Sequence, residues 1–198
     1  MKKICLAVLF FQLCNTSSAQ IGLNLGVKAG FNFSTITHAS DINAQQYTGY
    51  MIGGYIAPKP KKILGFRSEI ILSRQGYNFH TNSTSGDVVL DYLLLPQLVT
   101  INFTKRIQLH GGLLLAFLLN TGVDSTGNGS NGSLFNYLKR FDYGLAGGGE
   151  ITPIGGFFIG GRVNFSLQKV RRDGSGPDYI PGIDARNNVV QVYAGWRF

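Results

Sequence analysis

The chain has 198 residues, of which 44% are hydrophobic, 12% aromatic and only 14% charged. That length suits one domain, the composition excludes a disordered or collagen-like segment, and the charged share lies well below the roughly 25% of soluble domains. A formal net charge of +8 raises nucleic acid as a partner, but the basic residues are scattered, with Lys59, Lys61, Lys62 and Arg171, Arg172 as the only clusters. A solvated or headgroup-facing excess fits an exported chain better, and no nucleic acid is expected.

Residues 1–19 read as a secretory signal peptide. Lys2 and Lys3 form a basic end, Ile4 to Leu13 an apolar middle, and Ser17, Ser18 and Ala19 a small-residue cleavage site before Gln20. The apolar run is too short for a spanning helix, which needs about 20 residues. Both cysteines, Cys5 and Cys14, lie inside this segment, so the remaining domain, 20–198, carries no thiol, disulfide or cysteine metal site.

Period two governs the rest of the chain. Leu23, Leu25, Val27, Ala29, Phe31 and Phe33 share one face, while Asn24, Gly26, Lys28, Gly30, Asn32 and Ser34 share the other. Successive strand side chains point to opposite faces, so this segment separates an apolar medium from a polar one. A second strand falls at about Tyr47 to Ala57, where Gly49, Gly53 and Gly54 leave the phase open. A third, Ile63 to Phe79, sets Phe66, Ser68, Ile70 and Leu72 against Arg67, Glu69, Ile71 and Ser73. In the fourth, Val88 to Phe103, Pro96 lacks a backbone donor and predicts a bulge or displaced register.

The fifth strand alternates less cleanly: Ile107, Leu109, Gly111, Leu113, Leu115, Phe117 and Leu119 are opposed by a face that also carries Leu114, Ala116 and Leu118. The sixth opposes Phe141, Tyr143, Leu145, Gly147, Gly149 and Ile151 to Arg140, Asp142 and Glu150. The seventh opposes Phe157, Ile159, Val163 and Phe165 to Arg162 and Asn164, and the eighth runs from about Asn188 to Phe198. Short links at Pro58 to Lys62, Thr104 to Arg106 and Thr152 to Gly156 alternate with longer ones near Ile36 to Gln46, His80 to Asp87, Thr121 to Leu138 and Val170 to Asn187.

Lipid offers no partner to an unpaired backbone group, so a sheet in a membrane must close on itself. The fold expected is all-β: an eight-stranded antiparallel up-and-down transmembrane β-barrel with short periplasmic turns and longer outer loops.

The segments Gly26 to Ile36 (GVKAGFNFSTI), Phe66 to Phe79 (FRSEIILSRQGYNF), Tyr92 to Val99 (YLLLPQLV), Phe141 to Ile151 (FDYGLAGGGEI) and the ending VYAGWRF resemble the PorT-like outer-membrane β-barrel family of Bacteroidetes-type bacteria. The resemblance spans nearly the whole chain after the signal peptide. It implies a bacterial outer-membrane location after export and signal-peptide cleavage. Its motifs mark strand starts, inward charges and turns, so it implies architecture more than activity. The terminal strand, with Trp196 and Phe198, resembles the C-terminal signal by which the barrel-assembly machinery recognises its clients for insertion.

The inward charges Lys28, Arg67, Glu69, Arg140, Asp142, Glu150, Arg162 and Arg197, together with His110, are the notable polar constellation. An eight-stranded barrel is just wide enough to be filled by side chains, so these groups are expected to pair across the interior and leave no aqueous channel. The glycine run Gly147, Gly148 and Gly149 opens no helix and makes no phosphate loop. His38, His80, Asp41 and Asp87 would have to converge from separate loops to hold a metal, and Ser83 and Ser85 near His80 lack an orienting third group for hydrolysis. No cofactor is expected. The third loop, Thr121 to Lys139, is rich in Gly, Ser and Asn but carries Leu134, Phe135 and Tyr137, and the fourth carries Tyr179. These four are candidate contacts, packed over the barrel mouth or offered to an unknown protein partner. The function expected is a non-enzymatic structural or interaction role in contact with outer-membrane lipid. The alternatives are a lipid-modifying enzyme and, less favoured, a narrow passive pore.

Overall fold

The structure is a computed structural model that describes residues 22–37, 45–58, 63–80, 85–126, 138–168 and 186–198. Eight strands follow one another: β1 (Leu23–Thr37), β2 (Gln45–Pro58), β3 (Leu64–His80), β4 (Ser85–Asn102), β5 (Ile107–Thr126), β6 (Phe141–Ile154), β7 (Phe157–Ser166) and β8 (Arg186–Arg197). Each pairs antiparallel with the next, and β1 pairs with β8 to close the barrel. Closure leaves no full sheet edge, which is the condition for crossing lipid with strands.

The register fixes the shape. From Leu25, the partners run through Ile56, Ser68, Gln97, Leu113, Leu145, Phe165 and Asn188 and return to β1 at Thr35. One circuit therefore climbs ten residues along β1, a stagger that tilts the strands by about 40° to the barrel axis. Phe66, Phe157, Trp196 and Phe198 ring the outer wall near the termini, and Tyr50, Phe117, Tyr143 and Phe165 ring it higher up, all exposed. The two aromatic belts stand roughly 20 Å apart, from about 3.3 Å per residue and the tilt, close to the apolar height of outer-membrane barrels.

The alternation in β1 sorts as the sequence predicts: Leu23, Leu25, Val27 and Phe31 are exposed, while Lys28, Asn32 and Ser34 are buried. In β2, whose phase the glycines leave open, Met51 and Tyr55 point inward and Tyr50, Ile52 and Ile56 outward. Pro96 does not displace the register. Ser68 opposite Gln97 and Ile71 opposite Leu94 keep one phase, and the β3–β4 ladder skips only the residues between them. The shifts lie elsewhere, between Gln46 and Met51 on β2, between Asp91 and Tyr92 on β4, where β5 carries one extra residue, and between Ile151 and Ile154 on β6.

Two expected loops are shorter than their composition suggests. β3 runs to His80 and β4 begins at Ser85, so the second outer link shrinks to 81–84; Thr121 to Thr126 of the expected third loop are strand, paired with β4 up to Ser85. The ladder with β4 holds these Ser- and Gly-containing residues extended although their composition alone favours a loop. In consequence β3, β4 and β5 stand as a wall taller than the rest of the rim. At the opposite end Gly155, with φ 54°, supplies the left-handed conformation of the two-residue turn between β6 and β7.

Candidate functional site

Among the described residues the buried ion pairs lie in the lumen, in its lower half, whereas the Arg74–Asp91 pair on β3 and β4 is part-exposed and faces outward. Glu69 Oε2 accepts from Lys28 Nζ at 2.8 Å and from Arg162 Nη1 at 2.6 Å. Arg67 Nη1 donates to Glu150 Oε2 at 2.7 Å and to Gln108 Oε1 at 3.2 Å. Arg67 Nε stands 3.0 Å from Glu69 Oε1, close enough for ionic attraction but outside hydrogen-bond alignment. Side-chain exposure across these pairs is 0–1%. Charges so far from water persist only when paired and hydrogen-bonded, which is why five of them share one layer.

Neutral groups complete the layer. Tyr193 OH donates to Glu150 Oε1 at 3.0 Å, and its ring lies 4.3 Å from Lys28 Nζ. Arg162 Nε and Nη2 both donate to Gln191 Oε1, and Gln191 Nε2 donates to Asn32 Oδ1 at 2.8 Å. Asn32 in turn donates to Ser73 Oγ at 2.9 Å. The Arg67 guanidinium lies 4.8 Å from the Tyr55 ring centre. His110 is buried beside this network, with Nε2 3.5 Å from Tyr193 OH.

Three of the inward charges named from sequence stand apart. Arg140 departs from expectation: it precedes β6 and is exposed at the rim, outside the buried network. Asp142 is half-buried and accepts from Ser166 Oγ at 2.7 Å. Arg197, half-buried at the end that holds the termini, donates to Tyr55 OH at 3.1 Å. Residues 1–19, His38, Asp41, Ser83, Leu134, Phe135, Tyr137 and Tyr179 lie outside the described residues. Trp196 and Phe198 face outward, and Phe198 N donates to Leu25 O at 2.9 Å, so the last residue is tied to the wall.

Above the ionic layer charge reasoning does not reach. Tyr77, Phe79, Val88, Leu90, Leu118, Val123 and Leu138 are buried inside the tall wall, in one apolar cluster that runs down to Tyr55, Phe158 and Tyr193 beside the ion pairs. Its trace in the sequence is the poor alternation of β4 and β5, where Leu114, Ala116 and Leu118 turn inward. Concavities on the outer wall, around Ala29, Gly54 and Ala194 and around Gly149, Gly161 and Val192, are lined by apolar side chains, Phe31, Phe157 and Trp196 among them, and by backbone.

A closed antiparallel barrel with an apolar outer wall between aromatic belts and an ion-paired lumen defines an outer-membrane β-barrel protein. The chain belongs to the family described as outer membrane protein beta-barrel domain, which matches residues 12–172 and places it in the bacterial outer membrane. Among solved structures it is similar to Ail, the attachment invasion locus protein of Yersinia pestis, at 15% identity, 89% coverage of this chain, 99% of that chain and a TM-score of 0.53. It is similar also to Neisserial surface protein A, at 14% identity, 88% and 97% coverage and a TM-score of 0.56. At such identities the likeness is one of fold. No curated protein sequence matches the chain significantly.

Proposed function

We propose that this chain is a non-enzymatic, non-conducting outer-membrane barrel that acts through its outer loops on a protein partner. One observation carries the reading: the lumen holds fully buried side chains, in the ion-paired layer around Glu69 and in the apolar cluster that continues from it up to Phe79 and Leu138. A solute path would have to break both. The outer end remains as the working surface, and Leu134, Phe135, Tyr137 and Tyr179 are the apolar side chains its loops offer. The segments Gly26 to Ile36 and Phe141 to Ile151 favour a PorT-like member of the family, which carries no specific role over to this chain.

The test combines conductance and capture. Purified barrel in a planar bilayer is expected to give no discrete current steps. A photo-crosslinking group placed at Tyr179 in cells is expected to trap one discrete protein that is lost when 127–137 is replaced by a short Gly-Ser link. Regular conductance steps, or a crosslinking pattern indifferent to the loop, would sink the reading.

A further inference from the structure

Charge is divided unevenly between the two ends of the barrel. The end with the short links faces the periplasm, and there the links 58–62, 104–106 and 152–156 contain Lys59, Lys61, Lys62, Lys105 and Arg106 but no Asp or Glu. Glu69 and Glu150, the described carboxylates nearest this end, are buried and already paired with Lys28, Arg162 and Arg67. Lys105 and Arg106 are exposed, and among the described residues neither belongs to an ion pair. Asp87, Asp91 and Asp142 all lie in the opposite half of their strands.

The turn that presents these two cations is held by its own backbone. Phe103 N donates to Ile107 O at 3.1 Å, Thr104 Oγ1 accepts from Arg106 N at 3.1 Å and from Ile107 N at 3.0 Å, and Arg106 O accepts from Thr152 N at 2.7 Å. Lys105 has the outward phase of Phe103 and Ile107, and Arg106 sits at the rim, where the wall ends. Register sets two rows of exposed, outward apolar side chains next to them on the wall: Phe103, Ile107 and Ile151 in one, Leu64, Ile101 and Leu109 in the other. The two rows cross β3 to β6, a width of about 15 Å at about 4.8 Å per strand. An apolar face that ends in unneutralised cations is complementary to an amphiphile with acyl chains and a negative headgroup.

We propose that the periplasmic rim between β4 and β5 binds an anionic phospholipid of the inner leaflet, with Lys105 and Arg106 contacting the headgroup and Leu64, Phe103 and Ile107 contacting the chains. A cation near an anionic lipid surface contributes about fivefold in affinity, so the two together contribute about 25-fold. A soluble anion would use the cations and leave the apolar rows unused. The binding is independent of any protein partner at the outer loops, because it lies at the other end of the barrel.

The test uses the whole barrel, extracted in detergent and probed by native mass spectrometry with phosphatidylglycerol and phosphatidylethanolamine of identical acyl chains. Wild type is expected to retain phosphatidylglycerol at least about 25-fold better, with inorganic phosphate at millimolar concentration failing to displace it. The K105Q/R106Q variant is expected to lose about 25-fold of that preference, while K139Q, which removes a cation at the outer end, keeps it. Equal retention of the two lipids by wild type overturns the proposal, whether or not the double variant folds. An unchanged preference in a folded K105Q/R106Q variant overturns it too, and so does full displacement by inorganic phosphate, which would reassign the cations to a free anion.

Discussion

Arg162 on β7 and Glu69 on β3, strands on opposite sides of the barrel, meet at 2.6 Å with no exposed side-chain surface. The contact spans the lumen, and Glu69 is shared with Lys28. Three buried cations, Lys28, Arg67 and Arg162, thus depend on two buried carboxylates, Glu69 and Glu150. Glu69→Gln leaves the cations with one carboxylate and is expected to cost about 3–5 kcal/mol, the range for stranding a buried charge. Lys28→Met relieves the cationic excess while breaking the same contact, so its loss is expected to be smaller. Urea unfolding of the barrel from lipid vesicles ranks the two, and a Lys28→Met loss equal to or above that of Glu69→Gln would contradict the charge-balance argument.

The glycines divide by the face they occupy. A Cβ on Gly160 would meet Glu150 Cγ at 2.7 Å and Tyr193 Cε2 at 2.9 Å, and one on Gly195 would meet Phe158 Cζ at 2.3 Å. A Cβ on Gly147, on the outer face, meets nothing within 4 Å. A narrow lumen holding Arg67, Arg162, Tyr193 and Phe158 has room only if some inward positions carry no side chain. Gly160→Ala and Gly195→Ala are each expected to lose about 1–3 kcal/mol by overpacking, and Gly147→Ala to be neutral or to gain up to about 1 kcal/mol. The heat-modification temperature on a gel should separate the first two from the third; three equal shifts would refute the assignment by space.

The same division explains what was legible in the sequence. Period two across β1, β6 and β7 reveals the barrel because each face meets a different medium, and it puts Lys28, Glu150 and Arg162 inside by parity alone. Parity fails where the lumen itself is apolar: Leu94, Leu98, Leu114 and Leu118 are as hydrophobic as their lipid-facing neighbours, so these stretches of β4 and β5 carry no alternation. It fails also at the rim, where Arg140 has inward phase but reaches water. Composition misreads Thr121 to Thr126, whose extended form comes from pairing with a partner about 35 residues away in the chain.

Phe198 is 72% exposed, and its backbone is held by Leu25 O. Removing the ring therefore leaves the closure of β8 on β1 intact and takes away little packing. Phe198→Ala is expected to leave the unfolding midpoint of the purified barrel within about 0.5 kcal/mol of wild type, as for surface positions generally. Membrane-inserted protein in cells is expected to fall severalfold if the terminal aromatic is read by the assembly machinery. Pulse-labelling followed by outer-membrane fractionation measures this, and unchanged insertion kinetics would remove Phe198 from that role.

Among the described residues a polar pair faces the lipid between the two aromatic belts. Gln97 Nε2 donates to Ser68 Oγ at 2.9 Å on the outer wall, where the neighbours along the same strands are Phe66, Ile70 and Val99. Neither group has water in the hydrocarbon region, so each depends on the other. Breaking one side strands the second, whereas replacing both by apolar groups of similar size removes the dependence altogether. Ser68→Ala alone is expected to cost about 1 kcal/mol, near the upper part of what side-chain hydrogen bonds contribute in membranes. The double variant Ser68→Val with Gln97→Leu is expected to match or exceed wild-type stability, because two lipid-facing polar side chains give way to apolar surface. A double-mutant cycle by urea unfolding in vesicles decides it. A double variant less stable than Ser68→Ala would mean that Gln97 holds the β3–β4 ladder together where Pro96 interrupts it, and that its hydrogen bond secures strand pairing beyond its own polarity.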